Sequence, residues 1–124
     1  MRVALQPDLS DLAEKLEAID GVKVIILPTP EEFKDPIEVD ALLGTANGHA
    51  QLPKFIKHCV GLKWIHILGA GADGYPLKLL RGKLVTCSRG ATTTPISEWV
   101  LAMMLTYEKQ LPSRWLSEPP DAWY

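Results

Sequence analysis

The chain has 124 residues, of which 47% are hydrophobic, with a formal net charge of -2 and a pI near 5.9. That length and apolar content suffice for one compact core, and so slight a net charge supplies no field that would gather nucleic acid or an anionic membrane surface. No apolar run approaches the roughly 18 residues that cross a bilayer, and the start MRVALQPDLSD turns acidic too early for a signal peptide. The expectation is a cytoplasmic protein with neither nucleic acid nor membrane as partner. Cys59 and Cys87 lie far apart, in no C-x-x-C and at no spacing that pairs them with histidine as metal ligands, so both read as buried thiols.

Along the chain, short apolar runs rich in β-formers alternate with helical patterns. Arg2 to Gln6 reads as a strand. Asp8 can cap a helix whose apolar positions Leu9, Leu12, Leu16 and Ile19 share one face, with Gly21 as its stop. Val22 to Leu27 is a second strand, and PTPEEFKDPIEVD is mostly loop with at most one helical turn. Ala41 to Thr45 is a third strand. Pro53 suits the first turn of a short helix that buries Leu52, Phe55, Ile56 and Cys59, with Gly61 ending it. Trp64 to Leu68 and Leu84 to Ser88 are the fourth and fifth strands. Short strands apolar on both faces and separated by helices indicate a parallel sheet covered on both sides. The expected architecture is therefore a doubly wound α/β domain of about five strands, flavodoxin-like with order 2-1-3-4-5, whose ligands sit at the carboxyl ends of the strands.

The run Gly69-Ala70-Gly71-Ala72-Asp73-Gly74 spells the G-x-G-x-x-G of dinucleotide sites. Its context fails twice, because Tyr75-Pro76 blocks a helix through the motif and LVTCSRG ends without the acidic residue that holds a ribose. Two readings remain. Either the glycines only make a tight turn, or Ala70 and Gly71 direct bare backbone N–H groups at a small anion such as a carboxylate. Further on, Thr94 can cap a helix with Pro95 at its first position and Glu98 in its first turn. Ile96, Trp99, Val100, Met103, Met104 and Tyr107 give that helix an apolar face, and Leu101, Ala102 and Leu105 leave little polar surface opposite, so a long apolar helix in want of partners is expected near the carboxyl end. His49, His58 and His66 have no i, i+4 partner and read as surface or core histidines. An aspartate-bearing receiver domain and a flavin-binding flavodoxin both share the fold class. The first lacks its aspartate where Gly44-Thr45-Ala46-Asn47 stands, and the second lacks its phosphate loop where QPDLSD stands.

LKWIHILGAGADGYP followed by LVTCSRGATTTPISEWVLAMML resembles the amino-terminal half of the D-isomer-specific 2-hydroxyacid dehydrogenases, the family of glyoxylate and hydroxypyruvate reductases. The resemblance is specific over residues 62 to 105. It implies a substrate domain over residues 1–94, an interdomain helix over 95–110, and a linker over 111–124 leading to a nucleotide-binding domain. It implies that the amides of Ala70 and Gly71 hold the carboxylate of a 2-keto or 2-hydroxy acid, with Thr45 and Ala46 beside it, and that Thr93 and Thr94 border the nicotinamide of NAD or NADP. The family's catalytic arginine, glutamate and histidine belong to the nucleotide domain, so no catalytic residue is expected here. The isolated chain is expected to bind no cofactor, to turn nothing over, and to self-associate as a homodimer through the 95–110 helix. The alternative is a standalone small-ligand-binding or interaction module derived from such a domain.

Overall fold

The computed structural model describes residues 1–45 and 50–115. Contacts divide the chain into two compact units, Met1–Arg89 and Gly90–Tyr124. The first unit carries seven strands, β1 (Arg2–Leu5), β2 (Lys23–Ile26), β3 (Ile37–Glu38), β4 (Ala41–Thr45), β5 (Cys59–Val60), β6 (Trp64–Leu68) and β7 (Leu84–Cys87), with helices α1 (Ala13–Glu17) and α2 (Leu52–His58). Five of the strands make a wholly parallel sheet in the order β2-β1-β4-β6-β7. Counted among themselves in chain order, these strands run 2-1-3-4-5, so the winding reverses between β1 and β4.

Side chains alternate across the strands, and the two faces bury different sets. On one face Val3, Leu5 and Ala41 pack with Leu9, Leu12, Ala13 and Leu16 of the segment that follows β1. On the other, Ala4, Leu42, Ile65 and Ile67 pack with Leu52 and Phe55 of α2, Leu80 and Tyr75. Phe55 is fully buried and meets Phe33 edge to face, with ring centroids 5.8 Å apart.

Local structure departs from the sequence expectations at three places. The helix expected from Asp8 to Gly21 is a 3-10 turn over Pro7–Leu12 followed by only five residues of α1. At three residues per turn Leu9 and Leu12 eclipse one another, so the tighter winding aims both at the sheet, while Ile19 lies past the helix and is exposed. Asp8 caps nothing. Its place as N-cap is held by Gln6, whose side chain is engaged elsewhere. The loop expected between β2 and β4 contains β3, which pairs in parallel with β5, so Cys59 ends α2 and starts a strand rather than completing a helical face. The alternation of Ile37, Glu38 and Val39 was the signal for this strand, and two residues are too few for periodicity to register.

Asp40 ties three strand beginnings together. Its carboxylate accepts from the Arg2 amide at 2.7 Å, its amide donates to the Arg2 carbonyl at 2.9 Å, and its carbonyl accepts from Lys63 at 2.9 Å and Trp64 at 3.2 Å. The Arg2 amide first, then the Arg2 guanidinium, hold the Asp40 carboxyl below its ordinary value. A depressed carboxyl stabilises the fold above its unfolded-state pKa, and that contribution disappears as pH falls through the folded-state value. Asp40→Asn is therefore expected to lower the urea midpoint at neutral pH, with the gap between variant and parent closing in acid. Equal midpoints at neutral pH would contradict this role.

The second unit contains α3 (Thr93–Glu108), two residues earlier at each end than the expected 95–110. Gly90 turns the chain with φ 87°, the Thr93 amide reaches the Gly90 carbonyl at 3.2 Å, and the helix starts there, with Thr92 rather than Thr94 as N-cap and no side-chain cap bond. Pro95 is tolerated inside the first turn because the N–H it lacks would have had no intrahelical acceptor. Glu98 consequently lies beyond the first turn and does not complement the helix dipole. The apolar side chains of α3 are exposed, Trp99 at 63% and Tyr107 at 86%. Among the described residues no helix is long and apolar enough to cross a membrane. Of the expected linker 111–124, residues 116–124 lie outside the described residues.

Candidate functional site

The carboxyl ends of β1, β4 and β6 lie side by side, because β4 pairs with β1 on one edge and with β6 on the other. The winding reverses at the β1/β4 step, where an open α/β sheet leaves a crevice.

The loop after β6 is stitched to β7. The Ser88 amide donates to the carbonyls of Gly69, at 2.9 Å, and Ile67, at 3.2 Å. The Cys87 thiol approaches the Ala70 carbonyl at 3.7 Å. A turn closed by the Tyr75 amide on the Ala72 carbonyl, at 3.0 Å, then leads to a 3-10 helix over Leu77–Leu80. The amides of Ala70 and Gly71 donate to none of the described residues, and both residues are exposed. Asp73 closes one side of the loop. A Cβ on Gly71 would stand 2.9 Å from its carboxylate oxygen, so a side chain at Gly71 would require the Asp73 carboxylate to shift.

A dinucleotide needs a helix that begins inside the glycine motif and aims its amino terminus at the pyrophosphate. Here the motif runs into a turn and four residues of 3-10 helix, so the loop does not fit that cofactor. What it offers is two neighbouring N–H groups at a strand end, an arrangement suited to one carboxylate.

Tyr75 anchors the loop from below. It is 6% exposed, and its hydroxyl donates to the Thr45 carbonyl at the end of β4. Burial, and after it the Asp8 carboxylate, raise the pKa of the phenol. Gly44 makes room for this bond, since a Cβ there would lie 3.2 Å from the phenol oxygen. Thr45 is also gripped from β1. Its amide donates to Gln6 Oε1 at 2.8 Å and its hydroxyl to the same oxygen at 3.3 Å. Gln6 is the buried polar residue of the sheet, 2% exposed. A crevice of about 310 Å³ opens beside it, lined by Gln6, Asp8, Thr29, Glu31, Thr45 and Gln51.

The structure thus brings Thr45 to the same sheet edge as Ala70 and Gly71, with its amide already used by Gln6. Ala46 lies outside the described residues, as does His49. Thr93 and Thr94 open α3 in the second unit, where the Thr93 carbonyl accepts from the Ser97 hydroxyl at 2.8 Å. Sequence reasoning did not place Gln6 at the site, and it read Asp8 only as a helix cap and Tyr75 only as the residue that stops a helix after the glycines. A glutamine directly after an apolar strand was the available signal for the first.

His58 stacks on Phe33 with ring centroids 4.5 Å apart. His66 stands on the opposite sheet face from Ile65, its Nδ1 paired with the Thr86 hydroxyl at 2.8 Å and its Nε2 with the Ser88 hydroxyl at 3.1 Å. Both ring nitrogens are occupied, which fits a structural histidine. Among the described residues no cluster of His, Cys, Asp and Glu could hold a metal. Burial pushes the Cys59 thiol up to about 11, whereas Cys87 is half-buried at the edge of the loop. A thiol reagent at mildly alkaline pH is expected to modify Cys87 in the folded chain and to reach Cys59 only on unfolding. Equal rates for the two, read by mass spectrometry, would contradict the packing.

No protein-family model matches the chain, and comparison with curated proteins gives no significant match.

Proposed function

We propose that the chain is the substrate-domain portion of an NAD(P)-dependent D-2-hydroxyacid dehydrogenase of the cytoplasm, a flavodoxin-like domain that holds the carboxylate of a 2-keto or 2-hydroxy acid. The observation that carries the reading is the pair of uncommitted amides at Ala70 and Gly71, at the carboxyl end of a central parallel strand. The strand order and the resemblance over residues 62 to 105 support it.

In the reaction of that family a hydride is exchanged between the nicotinamide cofactor and C2 of the acid, a chemistry that NAD or NADP supplies when bound to the nucleotide domain. In this reading the cofactor's cradle belongs to the nucleotide domain, with Thr93 and Thr94 of this chain bordering the nicotinamide, and the part of the glycine loop is to bind and orient. Two N–H dipoles fixed at a strand end grip the carboxylate without reorganising, which sets C2 at a defined height above the sheet edge. Tyr75 and Gln6 keep that edge in register by holding Thr45 from both sides. The Asp73 carboxylate opposes an anion at Gly71, so the grip is weak in this chain alone, and Asp73→Asn is expected to tighten carboxylate binding. The side chains of α3 that are exposed here provide the seam for a homodimer.

Blotting the source cells with an antibody against this domain tests the reading. A band at least twice 13.7 kDa is expected, since a nucleotide domain of ordinary size adds about as much again. A band at the mass of this chain would remove the dehydrogenase assignment, whereas NADH oxidation by the purified chain with glyoxylate would overturn the expectation that this chain alone turns nothing over.

A further inference from the structure

The crevice between β1, β2 and β4 carries a second, separate assignment. Gln6 is almost wholly buried, and its amide has two ends of opposite character. The Thr45 backbone N–H must be met by an acceptor, so the oxygen end faces Thr45, which is the 2.8 Å bond observed. The nitrogen end then has two N–H groups to place. It donates to no described residue, yet none of the described buried side-chain nitrogens lacks a partner. The amide nitrogen is therefore not fully enclosed, and Gln6 lines an open crevice to which that donor is assigned. A glutamine locked at one end, with its donor end turned to a cavity, is a preorganised ligand contact.

The rest of the lining is rich in acceptors. Asp8 brings a carboxylate, and Glu31 brings another that shares Lys54 at 3.2 Å on the exposed rim. The Thr29 hydroxyl donates to Glu32 at 2.7 Å, which leaves its oxygen able to accept. No lysine, arginine or histidine is among the described lining residues. Such a surface repels an anion and suits a molecule that donates several hydrogen bonds and accepts one from Gln6. At about 310 Å³ the crevice is at the small end of ligand sites.

We propose that this crevice binds a small uncharged polyhydroxylated molecule, a polyol or sugar, with one hydroxyl oxygen accepting from Gln6 Nε2 and its other hydroxyls donating to Asp8 and Glu31. The assignment does not rest on the glycine loop taking a carboxylate. The two sites lie at the ends of different strands and prefer ligands of different charge.

The test is a nitrogen–proton correlation NMR titration of the full chain with ribitol, D-ribose and myo-inositol, run beside succinate and ethanolamine. Saturable shifts in the millimolar range at the Gln6 side-chain amide, Thr45 and Thr29 are expected with at least one polyol. Gln6→Glu keeps the acceptor for Thr45 and deletes the donor, and should abolish those shifts. Should that variant fail to fold, Asp8→Ala at its exposed position serves instead, with polyol affinity falling about fivefold to tenfold. No shift at these residues with any polyol overturns the proposal, and so does tighter binding there of succinate or ethanolamine. Shifts at Ala70 and Gly71 with succinate would bear on the carboxylate reading alone, so the two proposals fail separately.

Discussion

Tyr75→Ala is expected to destabilise the first unit by about 3–5 kcal/mol, the range for deleting a large buried aromatic. The ring is 6% exposed within the main core cluster, and its hydroxyl caps the β4 carbonyl at Thr45. Deleting it opens a cavity under the loop and leaves that carbonyl without its phenol partner. Tyr75→Phe separates the two effects. The ring stays, the hydroxyl's bond to the Thr45 carbonyl goes, and the expected cost of that bond is about 1 kcal/mol. Urea unfolding of both variants checks the ratio. Equal losses would mean that the hydroxyl, rather than the packing, carries the residue. Since the whole stability of a domain this size is about 5–15 kcal/mol, the alanine variant is expected to lose a large share of it and to show a clearly lowered urea midpoint.

The second large effect concerns α3. Trp99, Leu101, Met103, Met104, Leu105 and Tyr107 are exposed over about two and a half turns of helix, and large apolar side chains gathered in this way mark an interaction surface. Self-association through this helix is the expected state of the isolated chain. Met103→Asp is expected to raise the dimer dissociation constant at least about a hundredfold, because an unpaired carboxylate at the centre of an apolar seam must be desolvated. Sedimentation of parent and variant at the same concentration measures it. A parent that stays at 13.7 kDa at high micromolar concentration would remove the dimer.

The sheet was legible because its strands are apolar and bounded by turn residues. Val3 to Leu5, Ala41 to Leu43 and Trp64 to Ile67 announce themselves by composition, and each of the five sheet strands begins within one residue of its expected start. Boundaries were less legible where tertiary contacts decide them. Gln6 lies past the end of β1, its side-chain oxygen held by the Thr45 amide, and Cys59 leaves α2 because it pairs with Ile37 in the short β3/β5 ladder. That no long helix runs through the glycine motif was legible from Tyr75-Pro76, and the structure has a turn and a short 3-10 helix there. The crevice was not legible, since Gln6, Thr29 and Thr45 are far apart in the chain and only the parallel crossover brings them together. Asp73 was read as a motif letter, and its position against Gly71 is a property of the folded turn.

The most direct test of the carboxylate assignment is the amide NMR spectrum of the chain titrated with glyoxylate. Saturable downfield shifts at the Ala70 and Gly71 amides, strengthened in Asp73→Asn, are the expected result. Unmoved Ala70 and Gly71 amides in both proteins would contradict the account, and the glycines would then serve only to turn the chain.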